Sequence, residues 1–256
     1  MVNGGLVALL NYIGYGLKLN ATIQEFERYT LITADGLGFD IHYYIDVSQG
    51  TVGGTANKTI HITEAQLQRH SKKIYNRLKV QAGHATKVYA RNTVVARVDK
   101  RVTLDFLTEH HLQIAMPGKY RYGLFHQGEL LSIAVFSGGR RMYDKAEDYR
   151  SFELIRFCHK SDFVVIGGLS KLLQAFTKDF NPGDIMTYVD TDWTQDSSLL
   201  KIGFQVEKTI PAQRFWIVDN KQITILNDQE LETAKQLYPD GYLHHNSGST
   251  KLVLSL

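Results

Sequence analysis

The chain's most specific chemical signal is Gly167-Gly168-Leu169-Ser170-Lys171, set between an apolar run, Phe163–Ile166, and a segment with Leu172, Leu173, Phe176 and Phe180 at helical spacing. Glycines at a strand-to-helix turn permit positive φ and a close approach of backbone to a ligand. The first N–H groups of a helix have no internal partner and lie at the positive end of its dipole, which suits a pyrophosphate. Ser170 adds a hydroxyl and Lys171 a charge. The spacing is neither that of a P-loop nor of GxGxxG. Two glycines in such a place also make an ordinary tight connection.

Two further sets of charges stand out. Arg69, Lys72, Lys73 and Arg77 lie on the outer face of an amphipathic segment, and Arg140-Arg141 follow Gly138-Gly139. Both can contact a nucleic-acid backbone; a solvated face over a packed stripe is the normal pattern for the first and is the reading favoured there, and the second is equally a flexible, solvated turn. His110-His111 are adjacent, so on a helix their rings point about 100° apart and do not share a ligand. His111 with Gln113 is either a structural or a site-lining polar pair. His244-His245 sit in a polar tail and are expected in solvent, while Trp193 and Trp216 are expected in the core or at its rim. With one cysteine, Cys158, and no HxxxH spacing, no metal site is expected.

These residues need elements to hold them. At 256 residues, 43% hydrophobic and 21% charged, the chain has the balance of a soluble globular protein of one or two domains. The single cysteine excludes an intrachain disulfide and points to a reducing, cytoplasmic setting. The apolar patch Leu6–Leu10 is too short for a membrane span and reads as a buried helix start. The net charge of +3 permits nucleic-acid contact without indicating it.

A hairpin is expected from Glu25–Ala34 and Phe39–Ile45 around Asp35-Gly36-Leu37-Gly38, then a mobile loop over Ser48–Lys58. Thr63 and Gln66 form a capping box for a helix whose apolar stripe is Leu67, Ile74 and Leu78. Beyond Gly83 the pattern alternates. Strands are expected at Lys87–Val98, Tyr120–Phe125, Leu130–Phe136 and Phe152–Cys158, with a helix at Leu104–Leu112. The segment Phe163–Phe204 reads strand, turn, helix, strand and a second helix ending in Gly203-Phe204. A hairpin follows at Phe215–Val218 and Gln222–Leu226, and an edge strand at Lys251–Leu256. The sum is a mixed α/β (α+β) sheet with a parallel portion around the helix after Gly168. Residues 1–85 form a helix–hairpin–helix extension, and 86–256 the main domain.

Within that order the chain carries Tyr89-Ala90-Arg91, His111-Leu112-Gln113, Glu153-Leu154-Ile155-Arg156-Phe157-Cys158, Gly167-Gly168-Leu169-Ser170-Lys171-Leu172, Asn181-Pro182, Tyr188, Asp190, Trp193 and Lys201-Ile202-Gly203-Phe204. This set, covering roughly Lys87 to Leu226, resembles the GNAT acyltransferase superfamily. More closely, it is similar to the GNAT-like C-terminal domain of phage-encoded Hef-type homing endonucleases and their relatives. The resemblance implies a GNAT-like mixed sheet flanked by helices, with the acyl-CoA pyrophosphate (acetyl-CoA being the usual donor) at Gly167 to Lys171. It also implies a small-molecule or protein amine as acceptor and Glu153 as the base.

Two positions depart from the family. Leu199 stands where the family has its proton-donating tyrosine, which leaves Tyr188 or Ser198 as a substitute, or a domain without the reaction. Asp192 stands where the phage relatives carry arginine. The second reading implied by the resemblance is a non-catalytic, DNA-associated binding module using Arg69, Lys72, Lys73, Arg77, Arg140 and Arg141.

Overall fold

A computed structural model of the chain describes residues 4–193, 198–219 and 221–256. There are two compact units: residues 1–84 with 189–197 and 209–250, and residues 85–188 with 198–208 and 251–256. The first break falls after residue 84, and residues 209–250 belong to the first unit.

The first unit opens with helix α1 (Gly4–Asn11), which runs into a π-helical turn, Tyr12–Gly16. Strands β1 (Ala21–Glu25), β2 (Thr30–Ala34), β3 (Asp40–Tyr44) and β4 (Thr59–Thr63) lie side by side in that order. The first three form an antiparallel meander, and β4 runs parallel to β3. The strand expected over Glu25–Ala34 is broken at Phe26–Tyr29, where the chain reverses and the Phe26 N–H donates to the Tyr29 carbonyl at 2.9 Å. Helix α2 (Glu64–Gln81) starts at the expected capping box, with Thr63 and Gln66 exchanging side chain-to-backbone bonds. Such a cap is worth about 1 kcal/mol. Leu67, Ile74 and Leu78 are its buried stripe. The irregular segment 48–58 is tied down: Thr55 donates to Asp40 at 2.6 Å, and the Val52 N–H donates to the Tyr44 hydroxyl at 3.0 Å.

The second unit comprises β5 (Thr86–Tyr89), β6 (Val94–Arg97), α3 (Lys100–His110), β7 (Tyr120–His126), β8 (Glu129–Phe136), β9 (Arg140–Arg141), β10 (Arg150–His159), β11 (Phe163–Ile166), α4 (Gly168–Phe180), β12 (Asp184–Asp190) and β13 (Gln205–Ile210). The single strand expected at Lys87–Val98 is split by a 3-10 turn, Ala90–Asn92, which Thr93 closes by donating its hydroxyl to the Ala90 carbonyl at 2.7 Å. The β7–β8 hairpin turns on Gln127 and Gly128, both at positive φ as a two-residue hairpin loop requires. Of the helix expected before Gly203, the described residues show one 3-10 turn, Leu200–Ile202; residues 194–197 lie outside the described residues.

The chain then adds β14 (Arg214–Val218), β15 (Lys221–Ile225), α5 (Asp228–Leu237) and β16 (Tyr242–His245) to the first unit, and β17 (Ser249–Ser255) to the second. β16 pairs with β14, with His244 beside Phe215. His244 and His245 are therefore half-buried rather than in solvent, and the His245 ring nitrogen lies 3.3 Å from the Val47 carbonyl. Trp193 and Trp216 are core residues, and the Trp216 indole donates to the Tyr238 carbonyl at 3.0 Å.

The main sheet has the order β13-β17-β12-β10-β8-β7-β6, with β9 attached to β10. β17, expected at an edge, lies inside it. β6, β7, β8 and β10 are antiparallel neighbours, whereas β10 and β12 are parallel and joined through α4. Neighbouring residues Val135 and Phe136 point to opposite faces. Val135 packs in a cluster with Phe106 and Leu107 of α3, and Phe136 stacks on Phe176 of α4 at 3.9 Å. The two helices thus cover opposite faces of one mixed sheet. No helix among the described residues is long and apolar enough to cross a membrane.

Candidate active site

β10 and β12 share three rungs: Ser151 beside Asp184, Phe152 beside Ile185, and Glu153 beside Met186. Both strands continue, β10 to His159 and β12 to Asp190, but the ladder does not. β10 carries a bulge at this point. Leu154 pairs with Phe136 and Arg156 with Val135, which leaves Ile155 without a partner on β8. A bulge bends its strand and sharpens the local twist. At the parting, the Thr187 hydroxyl donates to the Leu154 carbonyl at 2.8 Å, a side chain taking the place of the next rung. The two strands make a fork, closed at Ser151 and Asp184 and open beyond Glu153 and Met186.

The closed end is held by a buried carboxylate. Asp184 accepts from Lys145 at 3.1 Å, from the Tyr149 hydroxyl at 2.8 Å and from the Ser151 hydroxyl. Burial pushes its pKa up, but the three donors together hold it below the ordinary value. A side chain at Gly183 would lie 2.5 Å from the Tyr149 ring, so glycine there lets the phenol reach Asp184.

Glu153 is fixed by its own backbone: its N–H donates to Ser137 Oγ at 2.9 Å, and its carbonyl accepts the Ser137 N–H at 2.9 Å. Its in-register neighbour is Met186, and Tyr188 is two residues further along β12. The period of two places Glu153, Met186 and Tyr188 on one face of the sheet, opposite to Phe152 and Leu154. Tyr188 is 43% exposed. Arg156 bonds the carbonyls of Ile114 (3.1 Å) and Ile155 (2.7 Å). Burial lowers its pKa, and the Glu153 charge acts against that. A carboxylate, a phenol and an unpaired bulge residue on parted strands can together remove a proton, return one and polarise a carbonyl.

The double-glycine turn joins a strand to a helix as expected, but that strand lies off the main sheet. β11 does not belong to the main sheet; it pairs in parallel with β5, Ile166 beside Tyr89. Asp162, at φ +68°, turns the chain between β10 and β11. Gly167 has φ +75° and is exposed. Gly168 is buried, and a Cβ there would lie 3.0–3.2 Å from Leu124 and Val165, so its glycine serves packing. Leu169 and Ser170 occupy the first turn of α4, half-buried. The Lys171 ammonium donates to the carbonyls of Ala90 (2.8 Å) and Thr93, which fastens α4 to the 3-10 turn.

The other predicted residues are dispersed. Arg69 donates to the Asp240 carbonyl at 3.2 Å and lies over the Tyr242 ring, and Arg77 lies over Trp193. Lys72 is exposed and Lys73 half-buried on the same helix. Arg140 and Arg141 form the exposed strand β9 rather than a flexible turn, and they belong to the other unit. His110 bonds Ser161 at 3.0 Å, and His111 caps its own Gln113. No group of three metal-capable side chains occurs among the described residues. No pattern in the sequence singles out Asp184 or Tyr149, and Arg156 stands in it only as one member of the Glu153–Cys158 motif.

No protein-family model matches the chain, and no curated protein matches it. Among solved structures, it is similar to a GNAT family acetyltransferase from Elizabethkingia anophelis with acetyl-CoA bound, at 12% identity and a TM-score of 0.36, over 64% of this chain and 99% of that one. It is also similar to the ribosomal-protein-S18-alanine N-acetyltransferase from Escherichia coli (10%, 0.37, 64% and 93%). A third is an N-acetyltransferase from Staphylococcus aureus Mu50 (13%, 0.37, 64% and 98%). At scores this low, none of these likenesses bears on activity.

Proposed function

We propose that the second unit is an acyl-CoA-dependent N-acyltransferase domain of the GNAT type, acting on a small-molecule or protein amine, with Glu153 as its base. The observation that carries this reading is the fork between β10 and β12. Parallel strands that stop pairing expose backbone N–H and C=O groups, and an extended amide-bearing chain such as the arm of CoA can pair with them. The order of motifs from Tyr89 to Phe204, similar to the phage Hef-type domains, points the same way. Gly167 and the N–H groups of the first turn of α4 fit a pyrophosphate. Lys171, committed to Ala90 and Thr93, contributes nothing to it.

When bound, acyl-CoA supplies an activated thioester; the residues of the chain do the rest. Glu153 accepts the proton of the incoming ammonium, the Ile155 N–H polarises the carbonyl, and Tyr188 returns a proton in place of the tyrosine that Leu199 replaces. The single cysteine, buried, fits a reducing cytoplasm. A DNA-binding role for α2 is not favoured, since Arg69 and Arg77 are folded onto aromatic rings.

The test is calorimetric titration of the full chain with acetyl-CoA, followed by thiol release with a panel of amines. Saturation at about a hundred times Kd would raise stability by about 2.7 kcal/mol. An unchanged melting temperature at millimolar acetyl-CoA would sink the reading.

A further inference from the structure

The first unit carries a buried polar face that acyl transfer does not use. In the parallel pair β3 and β4, Asp40 lies beside Thr59, His42 beside His61 and Tyr44 beside Thr63. These six side chains share one face and all are buried, while Ile41, Ile60 and Ile62 occupy the other. Polar groups removed from water must each find a partner, so this composition is costly in a core. Asp40 is satisfied by Thr55 and Asn57. The Tyr44 oxygen accepts the Val52 N–H and lies 3.1 Å from His61 Nδ1 and 3.4 Å from His42 Nδ1. A phenol has one proton to give. Whether it goes to His61, to His42 or to the Val52 carbonyl at 3.5 Å, His42 Nε2 stays buried with no hydrogen-bond partner. An orphaned buried polar atom costs about 1–3 kcal/mol, a mark of function rather than packing.

Aromatic rings connect this imidazole to the surface. Tyr29 lies over His42 with centroids 4.1 Å apart, and Phe26, 43% exposed, stacks on Tyr29 at 4.8 Å and 9°. Phe26 and Tyr29 line a pocket of about 230 Å³ whose rim includes Glu27, Arg28, Asp46 and Gln49. Arg28 is held in place by the carbonyls of Gln49 (2.6 Å) and Gly50 (2.7 Å). The pocket therefore combines a ring face with carboxylate acceptors, an amide and a fixed guanidinium. Those groups complement a flat ring bearing donors and acceptors on its edge.

We propose that this pocket binds a nucleobase, stacked on the Phe26–Tyr29–His42 column, with Arg28, Asp46 and Glu27 engaging its edge. The buried His42 and Tyr44 hold Tyr29 from behind, and His61 packs against both. The site is independent of the acyl-transfer reading.

Adenosine, guanosine, cytidine and uridine are titrated calorimetrically into the full chain, with ribose as the control, and a single-stranded hexanucleotide forms a second arm. At least one nucleoside is expected to bind with a Kd of about a millimolar or less, shifting the His42 ring proton resonances. Stacking on one aromatic ring commonly carries about 1–3 kcal/mol. Phe26→Ser is therefore expected to weaken binding by about tenfold, and because Phe26 is exposed the variant should keep its circular dichroism. Affinity for the hexanucleotide more than about tenfold above the nucleosides assigns the base to a strand; equal affinity assigns it to a free nucleoside. Either result supports the site. Absence of binding in both arms at about 5 mM, or binding that Phe26→Ser and Arg28→Ala leave unchanged, overturns it. The Phe26→Ser comparison also separates this site from adenosine bound in the second unit.

Discussion

Glu153 and Met186 stand side by side on the last rung of the parallel ladder between β10 and β12. Beyond them the two strands no longer pair with each other, though β10 continues along β8, and the bulge at Ile155 marks where β10 turns away. A carboxylate at the crotch of a fork is placed where an incoming chain would end its path.

Replacing Glu153 with glutamine keeps the shape and removes the proposed base. General-base catalysis typically supplies about 10²–10⁴-fold, so kcat for amine acetylation should fall by about a hundredfold or more while the KM for acetyl-CoA barely moves. Thiol release at saturating acetyl-CoA measures this. An unchanged kcat would remove Glu153 from the chemistry.

Lys171→Met separates two roles for one lysine. Its ammonium satisfies the Ala90 and Thr93 carbonyls, and hydrogen bonds of this kind are worth about 1–3 kcal/mol. Urea unfolding should show a loss of that size, with the affinity of the folded variant for acetyl-CoA within about twofold of the parent. A large loss of affinity without a loss of stability would return Lys171 to the phosphate.

The two glycines of the turn should fail differently. Gly168→Ala forces a methyl to within 3.0 Å of Leu124, and overpacking of this sort costs about 1–3 kcal/mol. Gly167→Ala meets only Ala90 at 3.6 Å but must hold φ +75°, which costs about 1–2 kcal/mol. Gly167→Asn should recover part of the second loss, since asparagine tolerates the left-handed region, and Gly168→Asn should recover none of the first. Melting temperatures decide it.

The buried histidine pair makes the first unit sensitive to acid. Burial first, and the neighbouring His42 second, lower the His61 pKa from 6.5 to about 4. Unfolded chains therefore bind a proton that the folded state refuses between those values, so stability is complete above about 6.5 and falls as pH drops towards 4. His61→Gln should flatten this limb in denaturant unfolding followed across the range. A limb of equal slope in the variant would assign the acid sensitivity elsewhere.

The elements that local chemistry determines were legible in the sequence. The Thr63–Gln66 capping box, the Gln127-Gly128 hairpin and the amphipathic helix after Gly168 follow from groups within a few residues of one another. So does the strand carrying Glu153. What was not legible is the choice of a distant partner. Lys171 splits no pattern in its own segment, yet it is bound to a turn some 80 positions earlier. His244 looked solvated until β14 covered it. The polarity of Asp40, His42, Tyr44, Thr59 and His61 alternates visibly along the chain, but that this face is buried depends on β3 lying parallel to β4 and on Tyr29 closing over them.

By itself, then, the sequence determined the kinds of elements, their caps and turns, and the order of motifs, because those depend on short-range sterics and hydrogen bonding. Tertiary structure alone decided that β10 and β12 part after Glu153, that β17 is interior, and that residues 209–250 join the first unit. Register between strands far apart in the chain is set by the packing of whole faces, and no single segment contains that information.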